Sequence, residues 1–577
     1  MNSSTIKTYN NLFENITQNH ENKTFLNFLY NSKYESISVS EFNDKVFCLA
    51  LALKDLGVKP NDKIAIFSKS SPFWLIFDFA IHQIGAISVP IFANISTYNL
   101  NFELQDSEAS LIFIDDENRV EDIENDIAKN LTFITHNFCI KEPNFYNYDE
   151  LLVISKQHCD TTNFVAHVPN EDDIFSIIYT SGNTGTPKGV MLSHKNILSQ
   201  MKDIDEVIAL DKSETILSLL PLAHIYERTV MSYYLSKGVS VYFVDEITNV
   251  GNLLKVVRPT MMTAVPRLLE KIFNKIKLNI TEKPLISRII ASLAFSYAMR
   301  YDIDKNATVY KIFDKIVYEK LREIFGSRLE KLVSGGAPLN KDVCNFFVNI
   351  GVDIYQGYGQ CEFSPVIATN SPGQNKVGSC GKVMGSAQVK FQDNEILVKG
   401  PSLMQGYLNN PELTKETINK DGWLHTGDVG HMDEDGYLYV NSRKKEIFKS
   451  STGEYVNAVF IEQELSKNKY IEFALIFANN RQYVSALLFV DKDKYMSRKD
   501  KNLSIEEYYS DTSILHDIQN HIEYTNKKLS KTEKVIKYKL ITNDISIETG
   551  ELTPSMKICR NKIEVIYKNE IDSMYEE

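Results

Sequence analysis

A large α/β domain of parallel-rich sheets with helices and a β-rich part, followed by a small α+β domain, is the fold class that three observations predict. The chain has 577 residues, more than one hydrophobic core serves well, so two or more domains are expected. Apolar strands alternate with amphipathic helices as far as about residue 386, the pattern of a sheet built from βαβ units. Short alternating strands with frequent turns then take over, and beyond Arg443 strands and helices mix to the end. The charged run RKKE at 443–446 is read as the boundary, giving domains of 1–443 and 444–577.

In chain order, Phe42, Val46, Phe47, Leu49, Ala50, Leu53 and Leu56 form an apolar stripe, which predicts a helix from a Ser40 cap to Gly57. An apolar strand at Ile64–Phe67, a helix containing Trp74–Ile84 and a strand around Ala86–Pro90 make a βαβ unit. The alternation recurs at Thr215–Leu220, Tyr226–Leu235 and Val239–Val244. LISRIIASLAFSYAM at 285–299 has its apolar residues mostly at helical spacing. It reads as an ordinary packed helix, with contact to a membrane surface as the second reading. EILVKG at 395–400 and GYLYV at 436–440 are short strands of the β-rich part.

Composition excludes several classes. Acidic residues outnumber basic ones, 75 to 63, for a net charge of −12, so no broad positive field is present to hold nucleic acid. The seven cysteines are scattered without a CxxC pair or a His/Cys cluster, which argues against a disulfide framework or a zinc site and fits a reducing compartment. No signal-peptide core opens the sequence, and no apolar run approaches ~18 residues. A cytoplasmic protein is expected, soluble or peripheral at the inner face of the membrane.

The segment SIIYTSGNTGTPKGV at 176–190 carries the first chemical signal. An apolar strand breaks into Thr180, Ser181, Gly182, Asn183, Thr184 and Gly185 and ends near Lys188. Glycines let backbone amides turn toward an anion, hydroxyls add donors and the lysine adds charge, a combination suited to a triphosphate. It is not a Walker loop, because Gly189 follows Lys188 where Ser or Thr would be needed. Alone, the segment reads equally well as a polar turn between strands. Further segments follow: SGGAPL at 334–339, QGYGQCE at 356–362, GWLHTGD at 422–428, Arg443, and GELTPSMKICR at 550–560. Singly, each has a structural explanation as a turn, a cap or a packing glycine.

Their joint order resembles the adenylate-forming superfamily of acyl-CoA synthetases, luciferases and peptide-synthetase adenylation domains. The resemblance implies ATP as substrate, with Thr180 through Gly185 and Lys188 around the triphosphate. It implies that Gly335, Gly336 and Ala337 line the adenine and acyl pockets, together with Gln356, Gly357, Tyr358, Gly359 and Cys361, the tyrosine stacking near adenine. Thr184 and Glu362 would hold Mg2+, Asp428 and Arg443 the ribose, and Lys445 would be the hinge of a mobile C-terminal domain. Lys557 would be the catalytic lysine. Its task follows from charge: a carboxylate must approach an anionic α-phosphate, and a positioned ammonium stabilises that approach. No nucleophilic side chain is needed, since the substrate carboxylate itself attacks.

PLAHIYER at 221–228, the stretch at 257–276 with the helix-prone segment after it, and the ending LTPSMKICRNKIEVIYKNEID resemble long-chain fatty acid–CoA ligases most. Each buried methylene of such a substrate contributes ~0.8 kcal/mol. His224 occupies that family's pocket wall and is a catalytic candidate. The expected reaction joins a long-chain fatty acid to coenzyme A through an acyl-adenylate. Acyl carrier protein is the alternative acceptor, a non-catalytic fatty-acid or nucleotide sensor the alternative class, and a homodimer one oligomeric option. Three positions depart from the family pattern: Asn183 for Ser or Thr, Cys361 for Thr, and Ala458 for Pro. Asn183 keeps donors for phosphate; a Cys361 thiol is a weak one.

Overall fold

The computed structural model describes residues 6–158, 164–181, 186–444, 447–449, 455–479, 481–497, 503–554 and 557–576. Its first long helix, Val39–Asp55, is capped by Ser38 rather than by Ser40. The Ser38 hydroxyl accepts from the Glu41 amide and Glu41 accepts from the Ser38 amide, a reciprocal box that requires Glu three residues after the cap. Gly57 follows the helix end at φ +88°.

Strand Lys63–Phe67, helix Pro72–Gln83 and strand Ile87–Ile91 form a βαβ unit with the strands parallel. They belong to an eight-stranded sheet that runs from Phe145–Asn147 at one edge through Thr132–Thr135, Leu111–Ile114, Lys63–Phe67 and Ile87–Ile91 to Ile174–Ser181, Pro187–Ser193 and Gly406–Tyr407. A nine-stranded sheet lies across from it. At its centre Thr215–Ser218, Met261–Ala264, Lys331–Ser334 and Ile354–Gly359 run parallel, so their loops all leave from one end. Antiparallel strands Gln388–Gln392, Glu395–Lys399, Leu424–Met432 and Leu438–Arg443 form the β-rich part. The large α/β architecture and the smaller α+β C-terminal region match the predicted fold class.

Helix Ile225–Lys237 joins the two large sheets. Every side chain from Ile225 to Leu235 is buried, as expected of a helix enclosed on all sides. Its neighbouring charged residues address opposite sheets. Glu227 accepts from Ser218 Oγ at 2.6 Å and Thr263 Oγ1 at 2.7 Å, both on the nine-stranded sheet. Arg228 donates to Ser176 Oγ at 2.6 Å and Ser88 Oγ at 2.8 Å on the eight-stranded sheet, and pairs with Asp78 at 2.6 Å. Its guanidinium also lies 4.6 Å from the Phe175 ring centre. Burial would raise the Asp78 carboxyl, but Arg228 and His82 hold it below its usual range. Removing one partner of such a pair costs about 3–5 kcal/mol, because the other charge is left buried and uncompensated.

The C-terminal region has its own three-stranded sheet, Ile471–Phe477, Val484–Val490 and Val535–Ile541. Among the described residues, each hydrophobic cluster lies wholly before residue 441 or wholly after 447. Among the described residues, polar contacts join the two parts. Arg267 pairs with Glu472 and lies 4.4 Å over the Phe473 ring, Lys467 pairs with Asp342 at 3.0 Å, and Asn94 donates to the Pro554 carbonyl at 3.1 Å.

One expectation fails. Helix Leu285–Ala298 is not an ordinary packed helix: it turns Ala291, Ala294 and Ala298 inward, and its leucines and isoleucines outward. Spacing shows which residues share a face, not which face meets the core. No helix among the described residues is long and apolar enough to cross a membrane.

Burial lifts the Glu227 carboxyl to about 7 from an ordinary 4.5, so the stability it supplies is complete below pH 4.5 and lost as pH rises through 7. Buried His194 has the opposite sense: pushed down to about 3, it favours the fold above pH 6.5 and costs stability as pH falls. Glu227→Gln removes only the first effect. Relative to wild type, its urea-unfolding free energy should therefore gain up to ~1.4 kcal/mol per pH unit between pH 4.5 and 7. Parallel curves for the two proteins across that window would refute the assignment.

Candidate active site

The parallel strands of the nine-stranded sheet end together, and their exit loops carry the motif residues, the usual place for a ligand in an open α/β sheet. Ser334 stands beside Gln356 in the register, so Gly335, Gly336 and Ala337 leave the sheet next to Gln356, Gly357 and Tyr358. Gly336 takes φ +83° and exposes itself with Ala337. At Gly359 no side chain is possible, because a Cβ would lie 1.9 Å from the Pro365 carbonyl oxygen. Ser334 Oγ and Gln356 Oε1 are buried there with no hydrogen-bond partner in the structure.

Asp428 lies on the neighbouring four-stranded sheet and is buried. Its Oδ2 accepts from the Tyr358 hydroxyl and from Gln360 Nε2, each at 2.7 Å. Its Oδ1 lies 3.4 Å from Arg443 Nε, its cross-strand partner. Burial and the Asp428 charge push the Tyr358 phenol well up, so it stays a neutral donor. Three residues, two from the QGYGQCE segment and one from the facing strand, thus share one carboxylate. Gln360 was not singled out from the sequence; its only signal is its place inside the QGYGQCE segment.

The glycine-rich segment is flanked by two antiparallel strands. Thr180 pairs with Lys188 across strands Ile174–Ser181 and Pro187–Ser193, and Tyr179 is anchored by its hydroxyl to Asp106 at 2.7 Å. Ser181 ends its strand, while Gly182, Asn183, Thr184 and Gly185 lie outside the described residues, as does Lys445. Lys188 Nζ sits 5.5 Å from the Tyr407 ring centre, and the Tyr407 hydroxyl donates to Glu362 Oε1 at 2.8 Å. Tyr407 therefore ties the strand pair to Glu362. No local pattern announces it, since the contact closes a gap of 45 residues.

Lys557 is exposed on a turn in which its amide donates to Thr553 Oγ1 at 3.1 Å and its carbonyl accepts from the Thr553 amide at 2.8 Å. The same turn receives the Asn94 bond at Pro554. Its charge reaches both His224 and Cys361. Burial, reinforced by Lys557, pushes His224 down to about 4, so the imidazole is neutral. Its Nδ1 accepts from the Tyr226 amide at 3.1 Å, capping the enclosed helix Ile225–Lys237. Burial, reinforced by Glu362 and opposed by Lys557 and Arg443, pushes the Cys361 thiol up to about 12, leaving it neutral and unreactive. Lys188 and Glu362 thus meet through Tyr407, Asp428 and Arg443 pair directly, and the Lys557 charge acts on both His224 and Cys361.

The donor set fits an adenine nucleotide. Asp428 offers a carboxylate to vicinal hydroxyls, and Ser334 and Gln356 offer unpaired groups beside it. Among the described residues no cluster of three metal-ligating side chains exists. A single carboxylate at Glu362 is nevertheless the donor set Mg2+ accepts when phosphate oxygens and water complete the octahedron. Asp428→Asn should weaken ATP binding by about 10- to 100-fold, the worth of a charge-assisted hydrogen bond at roughly 1.5–3 kcal/mol. Calorimetric titration checks this, and unchanged affinity would remove Asp428 from the nucleotide site.

Comparison with known proteins places the chain in a family. The AMP-binding enzyme family model matches residues 13–408, and the AMP-binding enzyme C-terminal domain model matches residues 445–577. The long-chain-fatty-acid–CoA ligase FadD15 of Mycobacterium bovis is 30% identical over 563 residues, covering 95% of this chain and 93% of its own. Long-chain-fatty-acid–CoA ligase 1 of Homo sapiens is 29% identical, covering 94% of this chain and 82% of its own. Among solved structures, the anthranilate CoA ligase AuaEII in complex with anthranoyl-AMP has a TM-score of 0.73 at 18% identity, covering 99% of this chain and 100% of its own. The adenylation domain of a carboxylate reductase from Mycobacterium chelonae has a TM-score of 0.77 at 18% identity, covering 98% and 91%. At that identity these two speak for the fold alone.

Proposed function

The chain belongs to the AMP-binding enzyme family, and from that premise we propose that it is a long-chain fatty acid–CoA ligase using ATP, Mg2+ and coenzyme A. The fatty-acid carboxylate attacks the α-phosphorus of ATP, the bond to the β-phosphate oxygen breaks, and pyrophosphate leaves. The thiol of coenzyme A then attacks the acyl carbonyl, loses its proton and expels AMP. The observation that carries this reading is the docking of the Lys557 turn at Asn94, with the lysine's charge felt at His224 and Cys361 inside the nucleotide cleft.

In this reading Asp428 and Arg443 hold the ribose, and Ser334, Gly335, Gly336, Ala337, Gln356, Gly357 and Tyr358 form the adenine side. Lys188 and the segment from Thr180 to Gly185 face the phosphates. Lys557 neutralises the approach of the carboxylate to the α-phosphate and the charge that develops there. Neutral His224 walls the acyl side and holds no second positive charge against Lys557. Glu362 and Thr184 would hold the Mg2+ ion, which when bound offsets charge on the departing pyrophosphate. The polar contacts between residues 1–443 and 444–577 suit a C-terminal domain that turns about Lys445 between the half-reactions. Acyl carrier protein is the competing acceptor, and a reaction offered both thiols separates the two. Peripheral contact with the inner face of a membrane belongs to the same reading, since a long-chain acid partitions into lipid.

Two expected outcomes test it. Lys557→Ala should lower fatty-acid-dependent pyrophosphate release by about 10²–10³-fold while ATP still binds, the effect of removing a preorganised transition-state donor. Equal rates for wild type and variant would sink the assignment. Cys361→Thr, which restores a hydroxyl donor, should raise kcat by roughly fivefold, the worth of one hydrogen bond of about 1 kcal/mol; a fall in kcat would show that the thiol is required.

A further inference from the structure

Helix Leu285–Ala298 is built the wrong way round for a packed surface helix. Its inward side carries Ala291, Ala294 and Ala298 with half-buried Phe295, which packs on Phe273 and Phe346, while Leu285, Ile286, Ile289, Ile290 and Leu293 are between 37% and 75% exposed. At about 100° per residue these five fall on one continuous stripe. The neighbouring segment extends the stripe. Its Val309, Ile312 and Ile316 are also exposed, and it is fastened to the helix by the Tyr318 hydroxyl on the Ala294 carbonyl at 2.8 Å and by the Tyr297 and Phe313 rings, 5.6 Å apart.

Charge says what could cover such a surface. Between residues 271 and 320 stand ten lysines and arginines against five acids, although the whole chain carries −12. All ten basic residues are exposed. Two copies meeting through this face would bring two positive collars together, which argues against a dimer. An acidic protein partner would match the collar but not so broad an apolar stripe. A bilayer with anionic headgroups meets both features, apolar at depth and negative at the surface. The helix has 14 residues, ~21 Å long and short of the ~30 Å hydrocarbon core, so it would lie in the interface plane.

We propose that the exposed apolar stripe of helix Leu285–Ala298, with the adjoining 309–316 side chains and their basic collar, docks this protein on an anionic lipid bilayer. This deepens the membrane contact inferred above and rests on the fatty-acid reading only in that a bilayer is where such a substrate is found. The collar sets long-range attraction that salt screens, and the stripe sets depth of insertion.

Co-sedimentation of the full chain with vesicles tests it, using phosphatidylcholine mixed with phosphatidylserine and phosphatidylcholine alone, at low and high salt. The expected result is binding to the mixed vesicles that weakens at least about tenfold on phosphatidylcholine alone or at high salt. Ile289→Asp combined with Leu293→Asp should lose at least about tenfold in binding, with adenylation of a water-soluble medium-chain acid unchanged. Should that pair unfold, Lys311→Glu with Lys315→Glu serves instead and should weaken binding to the mixed vesicles only. Wild type left in the supernatant with mixed vesicles overturns the proposal, as does full binding by the folded variants. A wild-type dimer that the apolar variant dissociates would assign the face to a second copy and overturn it too. Sedimentation reads no turnover, so its failure leaves the ligase reading intact, and a failure of catalysis leaves the vesicle result intact.

Discussion

Successive residues on an α-helix point about 100° apart, and Glu227 and Arg228 use that angle to reach two different sheets from one turn of the enclosed helix. Each is buried, and each finds hydroxyl partners on two strands of its own sheet. The pair therefore sets the rotation of the helix as well as its place between the layers. Its N-terminal turn carries His224 into the cleft, so the alignment of the two sheets and the position of a cleft residue are set by the same contacts. A hydrophobic pair could fill the space equally well, but it would tolerate more sliding.

The cleft is electrostatically sparse in a useful way. The buried histidine and thiol nearest Lys557 are both driven to their neutral forms, and the phenols of Tyr358 and Tyr407 are held protonated by burial, reinforced by the carboxylates they serve. The other ionisable side chains there are the basic Lys188, Lys557 and Arg443 and the acidic Glu362 and Asp428. A polyanionic ligand meets fixed cations without a crowd of competing groups, and reorganisation on binding is small.

Much of this was legible in the sequence where the information is local. The βαβ units follow from periodicity, and the adenylating motifs from their joint order, which resembles that of the adenylate-forming superfamily. Local reading erred by two residues at the first helix, where Ser38 and Glu41 complete a box that Ser40 cannot. Contacts that close long gaps were not legible. Gln360 meets Asp428 across 68 residues, and Asn94 meets Pro554 across 460, with nothing in either segment to announce the other. Helix Leu285–Ala298 shows a different limit. Its stripe was visible, but alanine and isoleucine are both apolar, and only the packed structure decides which side faces inward.

The joint between the two parts of the chain is made of an arginine on a carboxylate and a ring, a lysine on an aspartate, and an amide on a carbonyl, with no hydrophobic cluster shared across it among the described residues. Opening such a joint uncovers little apolar surface, so its heat-capacity change is small. Its equilibrium then varies gently with temperature while that of the cores on either side is steeply curved. The two motions a catalyst must keep apart, rearrangement and unfolding, are thereby given different thermal signatures.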